Sequence, residues 1–366
     1  MGWPRPSLAE LDSVVRSFFV VESWSLEGEV PVYVVRPSRG AEEDFRGLYS
    51  ALRGLGLTPI LRREGERLVL RVVALRRRAW PGGRALAALL FLATLGTILA
   101  AGYVVTVLDP LIGALDESVA ANPAPHLLGY ALSMIGIVGV HELGHKLACR
   151  AHGIRASPPY FIPFPPLPAL PIGTLGAVIL QEEPPLTRNQ LFDLGLSGPI
   201  FGFLASMVVT AVGLRLSYPL SVQMVERILS EGGGVLPTPL VYRLLVPLLR
   251  PDLGEAAAIY LHPIAWAGWV GLLVTFLNSS PIGQLDGGHT FRALLSERAH
   301  LALSFAFVAF LLIEGFWAMA VLAALLALRR HPGALNEATP LSPSRRLGAA
   351  ALLLVWLASL PVPPWL

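Results

Sequence analysis

His141, Glu142 and His145 stand as His141-Glu142-Leu143-Gly144-His145, an H-E-x-x-H spacing. Residues four apart lie one turn along the same helix face, so these two imidazoles can reach one zinc ion at about 2.0–2.1 Å. The intervening glutamate points beside that face and can take a proton from an attacking water, the arrangement of metal-assisted hydrolysis. The apolar run Leu127 to Val140 leads directly into this motif. Inside a membrane span each ionisable group costs about 2.5–3.5 kcal/mol even on a lenient insertion scale. Three of them within five residues need a compensating ligand, and zinc supplies one.

A third ligand is needed, and four residues compete for it. His152 lies on the same face as His145, but about 10 Å further along a continuous helix, too far to share the metal. His262 begins a separate apolar run and is expected as an interfacial or packing histidine on the other side of the membrane. Asp286, in Leu285-Asp286-Gly287-Gly288, is a carboxylate set in apolar sequence beside two permissive glycines. His289, three residues on, is its rival. A carboxylate suits the two-histidine catalytic pattern and leaves one position open, so the expected set is His141, His145 and Asp286.

Those residues need elements to hold them, and composition says in which solvent. Of 366 residues, 54% are hydrophobic and 14% charged, against about 25% charged in soluble domains. A mean hydropathy of +0.61 cannot be hidden in one soluble core, because surface scales too steeply with mass. Much of the chain is therefore expected in a lipid bilayer. The net charge of +3 comes with arginines at the ends of apolar runs and no basic patch, which argues against nucleic acid. Lys146 is the only lysine, and the single Cys149 excludes an intramolecular disulfide and a cysteine-rich zinc knuckle.

The expected architecture is an α-helical polytopic membrane protein, of about seven transmembrane helices, with a small N-terminal soluble α/β domain. Residues 1–79 form the soluble part. Ser7 and Glu10 fit a capping box, and Phe18 to Ser25 and Val30 to Val35 read as strands. Phe45, Leu48, Tyr49 and Leu52 make one buried stripe on a helix. Thr58 to Leu61 and Arg67 to Val73 read as a hairpin about Glu64-Gly65. Charges of both signs in the first 17 residues argue against a signal peptide. Residues 80–366 form the membrane part. Its apolar runs are Ala85 to Leu108, Leu127 onward, Leu194 to Leu214, Ala256 to Leu285, Leu301 to Leu328 and Leu347 to Leu366. The stretch between the third and fourth runs, with Pro237, Pro239 and Pro247, stays unassigned. Arginines 76, 77, 78 and 84 before the first run, with Asp109, Asp116 and Glu117 after it, put the N-terminal domain in the cytoplasm. Keeping Arg329 and Arg330 inside requires a hairpin breaking at Glu314-Gly315.

With these motifs quoted, the chain resembles the site-2 protease family of intramembrane zinc metalloproteases. Beside the H-E-x-x-H helix, Asn278-Ser279-Ser280-Pro281-Ile282-Gly283-Gln284-Leu285-Asp286-Gly287 fits that family's N-x-x-P-x-x-x-L-D-G element. Gly173-Thr174-Leu175-Gly176-Ala177 resembles its membrane-inserted strand segment. Ser197-Gly198-Pro199-Ile200-Phe201-Gly202 resembles the start of its third core helix. The resemblance covers about 126–295. The Pro-rich stretch Pro158 to Pro171, the soluble N-terminal domain and Gly283-Gln284 suggest the branch with archaeal members and plastid proteases. Gly283 replaces a proline common in relatives, and no PDZ-like insert lies between the third and fourth runs.

The resemblance implies a peptidase of the cell membrane that holds Zn2+ and cleaves membrane-anchored protein substrates, with Glu142 as base and Asn278 as a hydrogen-bond partner for the substrate. The other reading of Asn278 is a helix C-cap before Pro281. Water must enter from the cytoplasmic side, and the Gly173 to Val178 edge could hold an unwound substrate as an added strand; the competing reading is a packed re-entrant loop. A metal transporter would need ligands at several depths. A catalytically inactive chaperone would not need Glu142.

Overall fold

The computed structural model describes residues 7–74, 83–167, 171–252 and 256–362. The expected domain boundary at 79/80 lies outside the described residues, as do Arg76 to Arg78, residues 168–170 of the Pro-rich stretch and the end of the last apolar run.

The chain opens with α1 (Leu8–Arg16), β1 (Phe19–Glu27), β2 (Val30–Pro37), α2 (Ala41–Gly54), β3 (Leu57–Glu64) and β4 (Arg67–Ala74). The capping box is formed: Glu10 N donates to Ser7 Oγ at 3.2 Å and Ser7 N donates to the Glu10 carboxylate at 2.7 Å. Both helix-start donors are thus satisfied locally. Gly28 and Gly65, at φ 64° and 61°, turn the two hairpins. The antiparallel sheet has the order β1-β2-β4-β3. Phe45, Leu48, Tyr49 and Leu52 of α2 bury against Phe19, Tyr33, Val35 and Leu70 of the sheet, at about 1.5–3 kcal/mol for each large side chain. The outer edge at β3 is covered by a distant segment. Leu61 bridges Asn336 in parallel, and Leu61 N donates to Leu335 O at 2.9 Å.

The rest of the chain is mostly helical. In order it forms α3 (Gly83–Thr106), α4 (Pro110–Leu115), α5 (Glu117–Ala121), α6 (Ala124–Ala151), β5 (Tyr160–Pro163), β6 (Thr174–Val178) and α7 (Arg188–Leu216). Then follow β7 (Tyr218–Leu220), α8 (Val222–Ser230), β8 (Thr238–Pro239), α9 (Tyr242–Leu249), β9 (Ala258–Tyr260) and α10 (Pro263–Ser279). The chain closes with α11 (Asp286–Leu294), α12 (Glu297–Ile313), α13 (Trp317–Ala327), α14 (Pro343–Ser359) and β10 (Pro361–Val362). Helices α3, α6 and α7 are long and apolar enough to cross a membrane; α10 and α13 are shorter apolar helices. Residues such as Leu89, Leu132 and Val208 face outward from the three long helices, as an integral membrane protein requires of surfaces that meet lipid.

Two expectations are refined here. The fourth apolar run is not one helix. Its first residues pair as β9 with β7, and α10 starts only at Pro263, where His262 Nδ1 accepts from Ile264 N at 3.2 Å. Proline at the first helical position has no N–H to lose, so the helix begins there. The break at Glu314-Gly315 is present. α12 stops at Ile313, Gly315 takes φ 79°, and Phe307, Val308 and Leu311 pack with Ala320 and Ala323 of α13.

Helix α10 approaches the long helices closely through small residues, the usual device where lipid supplies no hydrophobic drive. A Cβ on Gly268 of α10 would lie 2.8 Å from Thr210 Cα of α7, and one on Gly271 would lie 2.9 Å from Ile137 of α6.

Candidate metal centre

Helix α6 carries His141 and His145 on one face, and α11 supplies Asp286 as its first residue. His141 Nε2 and His145 Nε2 are 3.2 Å apart. Asp286 Oδ2 is 3.1 Å from the former and Oδ1 is 3.3 Å from the latter. Bonds of about 2.05 Å to a tetrahedral ion put neighbouring ligand atoms about 3.3 Å apart. The three donors therefore match one face of a zinc tetrahedron and leave the fourth vertex free. Among the described residues they are the one group of three metal-ligating side chains gathered this closely.

The surroundings are built to hold that triangle. His145 Nδ1 donates to Leu194 O at 2.9 Å, which leaves the Nε2 lone pair for a metal. Helix α7 passes directly behind the rings. A Cβ on Gly198 would meet His145 Cε1 at 2.5 Å and His141 Nε2 at 2.8 Å, and one on Gly202 would meet His141 Nδ1 at 2.7 Å. On the α11 side, a Cβ on Gly195 would lie 2.5 Å from Asp286 O, and one on Gly288 would lie 2.6 Å from Ile282 O. The turn that delivers Asp286 thus tolerates no side chain at its tightest points. An aspartate at a helix N-terminus also meets the positive end of the peptide dipoles.

Glu142 is buried beside the triangle, at 5% exposure, and its carboxyl interacts electrostatically with His145 and Asp286. It is separate from the three gathered donors. Asn278 is half-buried in the last turn of α10, and Ser280, not Asn278, is the C-cap residue. Its side chain makes no hydrogen bond among the described residues.

The rejected histidines are engaged elsewhere. His152 Nε2 is 2.8 Å from Asp193, whose carboxylate also takes two bonds from Arg345. His262 is buried against His126, with Nε2 and Nδ1 at 2.8 Å. His126 lies about 22 Å down α6 from His141. His289 sits one turn after Asp286 and bonds to His331.

Of the Gly173-Ala177 segment, Thr174 to Ala177 lie in strand β6 and Gly173 precedes it at φ 78°. β6 pairs antiparallel with β5, Tyr160 facing Val178 and Phe161 facing Ala177. A cavity of about 20 Å3 lies between it and α6, lined among others by Ile137, Val138, Thr174 and Gly176. Ser197 to Gly202 lies well inside α7 rather than at its start. Thr187 caps that helix, its Oγ1 accepting from Gln190 N at 3.2 Å. Sequence reasoning missed the part played by Gly198 and Gly202. Their small-x-x-x-small spacing was the available signal. Nothing local marked Leu194 O as the acceptor for His145.

The model of the family described as Peptidase family M50 matches residues 129–322. The chain is 31% identical over 250 residues to "Probable zinc metalloprotease EGY1, chloroplastic" of Arabidopsis thaliana, covering 64% of this chain and 43% of the relative. It is 30% identical over 181 residues to "Probable zinc metalloprotease EGY2, chloroplastic" of Oryza sativa subsp. indica, covering 48% and 30%. It is 26% identical over 247 residues to "Probable zinc metallopeptidase EGY3, chloroplastic" of Arabidopsis thaliana, covering 63% and 39%. The chain thus spans less than half the length of these relatives. No solved structure matches.

Proposed function

The chain belongs to peptidase family M50, and on that premise we propose that it is an intramembrane zinc metalloprotease. It hydrolyses peptide bonds of transmembrane or membrane-associated protein substrates, as in regulated intramembrane proteolysis. The observation that carries this reading is the triangle of His141, His145 and Asp286 donors, 3.1–3.3 Å apart, on a helix long enough to cross a membrane. Neutral Nε2 atoms and a carboxylate are the donor types zinc prefers.

Zinc at these residues would supply Lewis acidity toward the substrate carbonyl and toward water. Glu142 takes a proton from the attacking water and delivers it to the nitrogen of the breaking C–N bond, so the amine leaves neutral. Asn278 is assigned to a hydrogen bond with the substrate backbone near the metal, in keeping with its half-buried site and lack of another described partner. A helical substrate hides its carbonyls in internal bonds, so it must unwind first. β6 pairs only with β5 among the described strands, and its free edge, next to α6, can receive an extended segment by strand addition.

The protein sits in the cell membrane with residues 1–79 in the cytoplasm and 80–366 as the protease, whose core is about 126–295. About seven crossings are assigned, with α12 and α13 as the hairpin. The arginine asymmetry about α3 supports this orientation. The test is cleavage of a membrane-anchored substrate by the purified chain in liposomes, abolished by a zinc chelator and restored by zinc. Full cleavage in zinc-free protein would refute the proposal.

A further inference from the structure

His289 lies one helical turn from Asp286, yet the structure gives it a different hydrogen-bonding role from His145. Its Nδ1 meets Nε2 of His331, the two rings nearly perpendicular at 86° with centroids 4.7 Å apart. Gly333 N donates to Nδ1 of His331 at 2.9 Å. A backbone N–H can only donate, so Nδ1 of His331 is an acceptor and the proton of its neutral ring is on Nε2. That proton points at Nδ1 of His289, which must accept it. The remaining proton of His289 is therefore on its Nε2. His145 has the opposite arrangement, because Leu194 O holds its proton on Nδ1 and leaves Nε2 with a lone pair.

The first N–H of this relay is held firmly. Gly333 takes φ 75°, and a Cβ there would fall on the Glu337 carboxylate. Glu337 pairs with the buried Arg292 of α11 at 2.6 Å. Leu335 N donates to Pro185 O at 3.0 Å and Asn336 N to Leu186 O at 2.8 Å. The same segment covers the β3 edge of the N-terminal sheet. His331 itself is 4% exposed.

We propose that His331 is a positioning residue that locks His289 as its Nε2–H tautomer. In this form Nε2 of His289 carries a proton and Nδ1 is taken by His331, so the ring has no lone pair to offer a metal. Asp286 is already gathered with His141 and His145, and the lock keeps the one histidine of α11 from joining them as a further ligand. The assignment of the metal to His141, His145 and Asp286 is the reading on which this rests.

The tautomer can be read without metal or activity. Full-length metal-free protein, labelled with 15N-histidine in lipid nanodiscs and assigned by comparison with His289→Ala, should show a one-bond N–H coupling at His289 Nε2 and none at Nδ1. His331→Phe should lose that preference, and His331→Gln, which keeps a side-chain donor, should regain it. Nδ1–H in the wild type, or an unchanged His289 in His331→Phe, would overturn the proposal. In cobalt-loaded protein, X-ray absorption should count two imidazoles in the wild type and three in His331→Phe. Three in the wild type would also overturn it. Failure of the wild type to take up cobalt, with the tautomer as expected, would count against the metal site and leave the lock standing.

Discussion

Gly198→Ala adds one methyl group where α7 passes behind both metal-facing histidines. Its Cβ would sit 2.5 Å from His145 Cε1 and 2.8 Å from His141 Nε2. Ordinary contact begins at 3.4 Å and His145 Nε2 lies closer still than Cε1, so the His145 ring must retreat by more than about 0.9 Å and the His141 ring by about 0.6 Å. His145 cannot do so and also keep its 2.9 Å bond to Leu194 O. A misplacement of about 1 Å in an active site costs on the order of 100-fold, and disturbing a ligand's supporting bond costs about 10–100-fold in metal affinity. The expected loss is about 100-fold in zinc affinity, or about 2.8 kcal/mol. Alanine is a better helix former than glycine by about 1 kcal/mol, so the helix itself should not melt. Gly136→Ala on α6 is the control, since nothing lies within 4 Å of its new Cβ. The assay is competition for zinc with a chelator of known affinity, on both variants in the same detergent. Wild-type zinc affinity in Gly198→Ala would refute the geometry of the ring pocket.

Three further expectations follow from separate parts of the molecule. Asp286→Ala should lose most of its zinc while His289→Ala keeps it, and elemental analysis giving the reverse order would hand the third ligand to His289. With Cys149 replaced, Glu117→Cys should react with an impermeant thiol reagent outside intact cells, while Ser344→Cys and Arg63→Cys should react only after permeabilisation; outside labelling at Arg63 would invert the orientation. Burial alone would raise the Asp44 carboxyl, but N–H bonds from Arg39, Ser38 and Gly40 outweigh it and hold that group below its usual range. Its stabilisation of the N-terminal sheet is thus full above about pH 4, the unfolded value, and fades as pH falls through the lower folded value. Asp44→Asn should flatten that acid limb in hydrogen exchange of α2 amides, and an unchanged limb would remove Asp44 as its source.

The parts legible in sequence were those set by local spacing. The turn between His141 and His145, the stripe from Phe45 to Leu52 and the Ser7–Glu10 box each depend on residues within about two helical turns. Asp286 was legible by ligand chemistry, although its place as the first residue of a new helix was not. What escaped depended on contacts between distant segments. Gly198 matters because of rings more than fifty residues earlier. His331 matters because of His289, and Asn336 because it completes an edge begun at Leu61. Hydropathy likewise merged β9 and α10 into one run, since it does not register that His262 caps and Pro263 starts a helix.

The most direct measurement compares wild type and Glu142→Gln in the same liposomes, recording zinc per chain and cleavage of a membrane-anchored substrate together. Glu142 is buried beside the three donors without being one of them. Both proteins should therefore hold one zinc, and only the wild type should cleave. Cleavage at the wild-type rate by zinc-loaded Glu142→Gln would contradict its role as the base, and zinc absent from both would contradict the metal centre itself.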